Sequence, residues 1–376
     1  MKNFGKCTLS LLTFALVSTV PALADMVSYT CDPTIDATQA GTCAYLNSTV
    51  SGLYGSTFSN ANASIYIKQG TTGLGESTPG FFNSISYNTY LSDLSANALA
   101  SGNAVQASAV ASLTSLDNGV YGGGSVVITS ALGLALGVSP SSLIGTTADG
   151  ASCTVGTAGC YNGIITVTTP ANLSSESGGT QGLYWNQTGG TQPADDYDFY
   201  SVVEHETDEI LGTASCISTG GSLTDPCNFL GTGTPSAVDL FRFAGLGALI
   251  PDSSLSTTPG AYFSYDGGAT NGADGAVYNT LANGRDYADF ATNCQHVQDA
   301  QGCTGLDLEI TNDGNAEINI LNAVGYELNS TAAATPEPGT FAMLGFGFVA
   351  FGAIAYRRRG ALLQDRLPCA PAPLKR

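Results

Sequence analysis

The chain has 376 residues, 11 Lys plus Arg against 30 Asp plus Glu, two His and a formal net charge of −19. Between residues 25 and 335 the imbalance grows: Lys68, Arg242 and Arg285 stand against 28 acidic residues, a formal charge of −25. Such a surface repels polyphosphates and anionic lipid, which sets nucleic acid aside as a partner and makes divalent cations its natural counterions.

In chain order, residues 1–24 carry Lys2 and Lys6, an apolar run over 11–20 and Ala22-Leu-Ala24. This is the layout of a secretory signal peptide with an A-x-A cleavage site, so the exported domain is expected over residues 25–330. Residues 63–68 alternate and are rich in β-formers, which predicts a strand. Apolar spacing predicts helices over 87–99 and 104–116. β-branched runs predict strands over 125–129 and 163–168, with a weaker one over 182–185. The strongest helix is expected over 198–211, acidic at its start and followed by Gly212 as its cap. Residues 235–243 follow a Gly/Thr-rich turn, 262–265 read as a short strand, and 316–328 as a last amphipathic helix. The class is α+β, with an irregular C-terminal half.

Eight cysteines of the exported part fall into four close pairs, 31/43, 153/160, 216/227 and 294/303. An even number in an oxidising compartment reads as disulfides, and the spacing favours pairing between neighbours.

The far end has three parts: a linker over 331–339 containing Pro336-Glu-Pro338, an apolar segment with a basic stop at Arg357, Arg358 and Arg359 over 340–359, and a tail over 360–376. The apolar run is just long enough to cross a bilayer, and the arginines place the tail in the cytoplasm. An ordinary tail anchor is one reading. The string Pro-Glu-Pro-Gly-Thr before a short span and a basic tail resembles the bacterial PEP-CTERM sorting signal. That resemblance implies processing by an exosortase, a transient inner-membrane anchor, and delivery to the cell surface or extracellular space. The tail is longer than this signal usually carries.

Residues 203–212 read Val-Glu-His-Glu-Thr-Asp-Glu-Ile-Leu-Gly. This is the HExxH pattern of zinc hydrolases with Glu209 in place of the second His. Positions i and i+4 share a helix face, so His205 and Glu209 would hold one metal while Glu206 activates a metal-bound water. The plainer alternative is an amphipathic helix with a surface His and a solvated acidic face.

Residues 197–212, then Ser236-Ala-Val-Asp-Leu-Phe-Arg-Phe243, Tyr262-Phe-Ser-Tyr-Asp-Gly-Gly-Ala-Thr-Asn271, and Asn319-Ile-Leu-Asn-Ala-Val-Gly-Tyr326 together resemble a family of bacterial PEP-CTERM-bearing zinc metalloproteases with an HExxE helix. The resemblance implies a zincin-like metalloprotease domain, Zn2+ as cofactor and a protein or peptide substrate. The chain departs from the longer pattern HExxHxxGxxH in having Ser215 at its last position. Catalytic zinc normally has three protein ligands and water. Asp239 in the Val-Asp-Leu-Phe-Arg segment is the first choice for the third, with pairing to Arg242 as its alternative role; His296 is the second choice. Two carboxylates and one imidazole would neutralise a zinc ion.

The function expected is therefore an exported metal-dependent endopeptidase with Glu206 as general base. The alternative is a non-catalytic surface, matrix or adhesion protein on the same scaffold. Asp307-Leu-Glu309 and Asp313-Gly-Asn-Ala-Glu317 are possible Ca2+ ligands, against the plainer reading of solvated acidic turns.

Overall fold

The computed structural model describes residues 27–80, 83–116, 124–176, 181–185, 191–217, 234–247, 260–280 and 286–329. The expected signal peptide, Cys227, Arg285 and everything from residue 330 lie outside them. Among the described residues no helix is long and apolar enough to cross a membrane.

The exported domain is organised around a four-stranded sheet, in the order Ser28–Cys31, Ser64–Gly70, Gly163–Thr168, Gly75–Pro79. The first three strands are parallel and the last runs antiparallel, with Ser77 opposite Ile165 and Glu76 opposite Thr166. Ile65, Ile67, Ile165 and Val167 are buried, as β-branched residues in a covered parallel sheet should be. Gly75–Pro79 has no such run and no signal in its own sequence; the ladder to Gly163–Thr168 holds it in place.

The long helix crossing this sheet is Phe199–Asp208, continued by a π-helical turn over Glu209–Thr213. Asp198 caps it by accepting from the Ser201 N–H at 2.7 Å. Phe199, Val203, Ile210 and Leu211 are fully buried, and Trp185 stacks on Phe199 with ring centroids 3.8 Å apart. The approach to the sheet is close: a Cβ on Gly163 would run into Ile210. Within this turn Gly212 takes a φ of 136°, a conformation open to glycine.

Helices Tyr87–Ser101 and Ala104–Leu116 form where the periodicity places them. So do the strands Ser125–Ile128 and Gly163–Thr168. The last helix, Ala316–Val324, is shorter than expected because Gly325 takes φ 146° and stops it. The segment 235–243 forms a 3-10 turn, Val238–Phe241, and a two-residue strand, Arg242–Phe243, paired with Tyr262–Phe263. Short helices at Pro33–Thr38, Thr42–Tyr45 and Ser51–Thr57 were not expected from the sequence.

Disulfides join Cys31 to Cys43, Cys153 to Cys160 and Cys294 to Cys303. Cys216 is also disulfide-bonded. The described part is a mixed α+β structure with disulfides.

Candidate metal centre

The motif helix turns His205, Glu206 and Glu209 toward a cavity of about 470 Å3 between the helix, the edge strand Gly75–Pro79 and the loop over 286–306. His205 Nδ1 lies 2.9 Å from the Val297 carbonyl oxygen. A carbonyl only accepts, so Nδ1 carries the proton and Nε2 is left with its lone pair toward the cavity. Nε2 stands 3.8 Å from Glu209 Oε1 and 3.6 Å from Asp289 Oδ1. One ligand atom from each of His205, Glu209 and Asp289 lies within 4.8 Å of the other two. One imidazole and two carboxylates at that spacing suit zinc in charge and in donor type.

Each ligand is held from outside. Ser77 donates its hydroxyl to Glu209 Oε2 at 2.5 Å. Gln298 donates its side-chain amide to Asp289 Oδ1 at 3.0 Å, and the same nitrogen is 3.5 Å from His205 Nε2. Glu206 accepts from the Ser77 backbone N–H and contacts the Glu209 carboxyl. A Cβ on Gly75 would collide with Glu206 Oε1, so the edge strand can pass over this carboxylate only as glycine.

The acidic face of the helix is not solvated. Glu204, Glu206 and Asp208 are all buried. Burial pushes the Glu206 carboxyl well above the usual carboxylate range, helped by the like charges of Glu209 and Asp289. Burial does the same to Glu204, which accepts from the Ile310 N–H at 3.0 Å, and to Asp208, which accepts from the Tyr54 hydroxyl at 2.9 Å. Asp286, a neighbour in the cavity wall, is raised by burial and by Asp289. Burying carboxylates without cations is costly. Arg242 does not help here, since it packs 4.3 Å over the Tyr278 ring and donates to the Tyr287 carbonyl at 2.6 Å.

Asp239, the expected third ligand, is not brought to His205 and Glu209. Its carboxylate receives the Ser215 hydroxyl at 2.6 Å, the Cys216 N–H at 3.0 Å, and the Ser236 N–H and hydroxyl at 2.9 Å each. Four donors saturate it, and it ties residues 215–216 to the turn at 236–239. Asp289 stands in the place expected of Asp239. His296 also lines the cavity but falls outside the ligand group; its Nδ1 is 4.0 Å from Asp299 Oδ1, and its ring packs edge-on against Phe290 at 5.2 Å.

The two candidate calcium stretches behave differently. Asp307 is exposed, as a solvated turn would be. Asp313 and Glu317 are buried. Among the described residues the His205 group alone brings three such ligand atoms together at that spacing.

Sequence reasoning missed Asp289, Gln298 and Ser77. Asp289 is one carboxylate among many, and its only local signal is proximity to the Cys294–Cys303 loop. Ser77 sits in a stretch with no strand signal of its own.

Residues 334–359 match the PEP-CTERM protein-sorting motif. This motif indicates an exported protein, membrane-associated before sorting, whose C-terminal signal is processed by an exosortase. Comparison with curated proteins and with solved structures gives no match.

Proposed function

We propose that the protein is an exported metal-dependent endopeptidase, with His205, Glu209 and Asp289 as metal ligands and Glu206 as general base. The observation that carries this reading is the convergence of three ligand atoms from two distant segments, with the His205 tautomer fixed so that Nε2 faces the other two. A buried helix bearing His and Glu in one turn, beside an antiparallel edge strand, supports the reading of a zincin-like scaffold. Zinc in this group supplies Lewis acidity for a water and for the scissile carbonyl.

The protein's own residues do the rest. Glu206 is fixed by the Ser77 N–H, and takes a proton from the attacking water and returns it to the leaving amine. A cation held by His205, Glu209 and Asp289 would offset the repulsion of Glu206 by the two carboxylates and favour its charged form. Residues 72–77 line the cavity. Among the described residues the strand Gly75–Pro79 pairs on one side only, with Gly163–Thr168. Its open edge offers backbone groups to an extended peptide, which is how substrate chains add to sheets.

Metal analysis of the purified full chain tests this. One metal per chain is expected, lost in His205→Ala, Glu209→Gln and Asp289→Asn but kept in Asp239→Asn. A wild-type chain without metal would favour the surface or adhesion scaffold instead. Metal kept in Asp289→Asn and lost in Asp239→Asn would restore the ligand set expected from sequence.

A further inference from the structure

The peptide group between Val297 and Gln298 is hydrogen-bonded at both ends to ionisable side chains, the partly buried His205 and the fully buried Glu317. Its carbonyl oxygen accepts from His205 Nδ1 at 2.9 Å. Its N–H donates to Glu317 Oε1 at 2.8 Å. The preceding N–H, that of Val297, donates to Asp313 Oδ2 at 3.2 Å. Glu317 is 0% exposed and Asp313 5%. Their remaining oxygens, Glu317 Oε2 and Asp313 Oδ1, are enclosed with no donor other than each other's carboxyl, and burial together with that contact pushes the Glu317 carboxyl well above the usual carboxylate range.

Two enclosed carboxyls in contact are a liability for stability alone. Glu317 stands in the first turn of the helix Ala316–Val324, where a negative charge is favourable, but that benefit does not require burial. What burial adds here is the contact to one peptide N–H. A carboxylate that draws on an amide N–H polarises the amide and makes its carbonyl a better acceptor. That carbonyl is the outer partner of the proposed ligand His205, and outer partners set the ring orientation and basicity of metal-bound histidines.

We propose that Glu317 is a positioning residue for His205, acting through the single peptide group Val297–Gln298, with Asp313 holding the adjacent N–H of the same segment. Gln298 extends the effect, because the residue whose N–H Glu317 fixes also donates its side chain to Asp289. Two of the three proposed ligands are thus oriented by a segment that Glu317 and Asp313 anchor. This inference rests on the metal centre proposed above and adds to it the element that tunes its affinity.

The test is the zinc dissociation constant of the full chain, read by competition with a chromophoric chelator, alongside thermal melting. Glu317→Gln keeps an acceptor for the Gln298 N–H but puts an amide where the carboxyl meets Asp313, and should weaken zinc binding on the order of tenfold; Glu317→Ala should approach a hundredfold. Glu204→Gln is the control, since Glu204 also accepts a backbone N–H while buried in the same region, from Ile310. It should lower the melting temperature and leave zinc affinity as in the wild type. If Glu317→Ala does not fold, Glu317→Gln carries the measurement. Zinc affinity unchanged in Glu317→Gln, or weakened equally in Glu204→Gln, overturns the inference while leaving the metal centre standing. A wild-type chain that binds no zinc overturns both.

Discussion

Ser77, on the edge strand, donates its hydroxyl to Glu209, on the motif helix, at 2.5 Å. Its backbone N–H serves Glu206. One residue of a strand therefore orients both carboxylates of the HExxE motif, and ties the sheet edge where a peptide would lie to the groups that would act on it.

Ser77→Ala should weaken metal binding on the order of tenfold by releasing Glu209, the usual effect of losing an outer partner. Because the backbone N–H to Glu206 persists, hydrolysis at saturating metal should fall far less than metal affinity. Zinc titration and peptide hydrolysis at two metal concentrations check this.

Gly75→Ala separates base from ligands. The new Cβ would collide with Glu206 Oε1 and crowd Val202, displacing the general base without touching the metal group. Stability should drop by about 1–3 kcal/mol, as for overpacked sites. Metal content should stay stoichiometric while hydrolysis is lost. Unfolding curves, metal analysis and activity on one preparation read all three.

The amount of this site that could be read from sequence depends on how local its signals are. The motif helix is readable, because Asp198, the apolar positions Phe199, Val203 and Ile210, and Gly212 all act within a few turns. The described disulfides are readable because close cysteines in an exported chain have near partners. Asp289 is not, since 80 residues separate it from Glu209 and only the folding of the loop at 286–306 brings them together. Asp239 looked suitable by type and position, but its worth as a ligand depended on how many donors already served it. The strand Gly75–Pro79 is invisible for a related reason: its partner in the ladder, not its composition, makes it a strand. The buried state of Glu204, Asp208 and Glu317 is equally hidden, since acidic residues on a strongly acidic chain read as solvated.

The acid side of the pH profile follows from these burials. Burial raises the Asp198 carboxyl from 3.8 to about 6, against the Ser201 N–H that favours its charged form. A raised folded-state pKa means that the folded chain holds the proton more tightly than the unfolded one. The contribution to stability is complete below about pH 4 and is lost as pH rises through about 6. The metal-free chain should therefore lose melting temperature between about pH 4 and pH 6. Asp198→Asn, which keeps a good N-cap, should show a smaller loss over that interval. Melting curves in chelator at the two pH values decide it.

The Cys294–Cys303 bond closes the loop whose first residue lies five positions beyond Asp289 and which contains Val297 and Gln298. With a sequence separation of 9, replacing both cysteines by serine should cost about 2.5 kcal/mol on the chain-entropy estimate. Since this loop carries the outer partners of His205 and Asp289, zinc affinity should fall as well. Cys31→Ser with Cys43→Ser, which opens a loop away from the cavity, should cost stability without that loss.

The central claim is that Glu206 works on a water while His205, Glu209 and Asp289 hold a metal. The most direct measurement is peptide hydrolysis by zinc-loaded Glu206→Gln, with metal content determined on the same sample. Hydrolysis lower by at least about a hundredfold, with one zinc per chain retained, is the predicted result for removal of a general base. Undiminished hydrolysis in that variant would contradict the account.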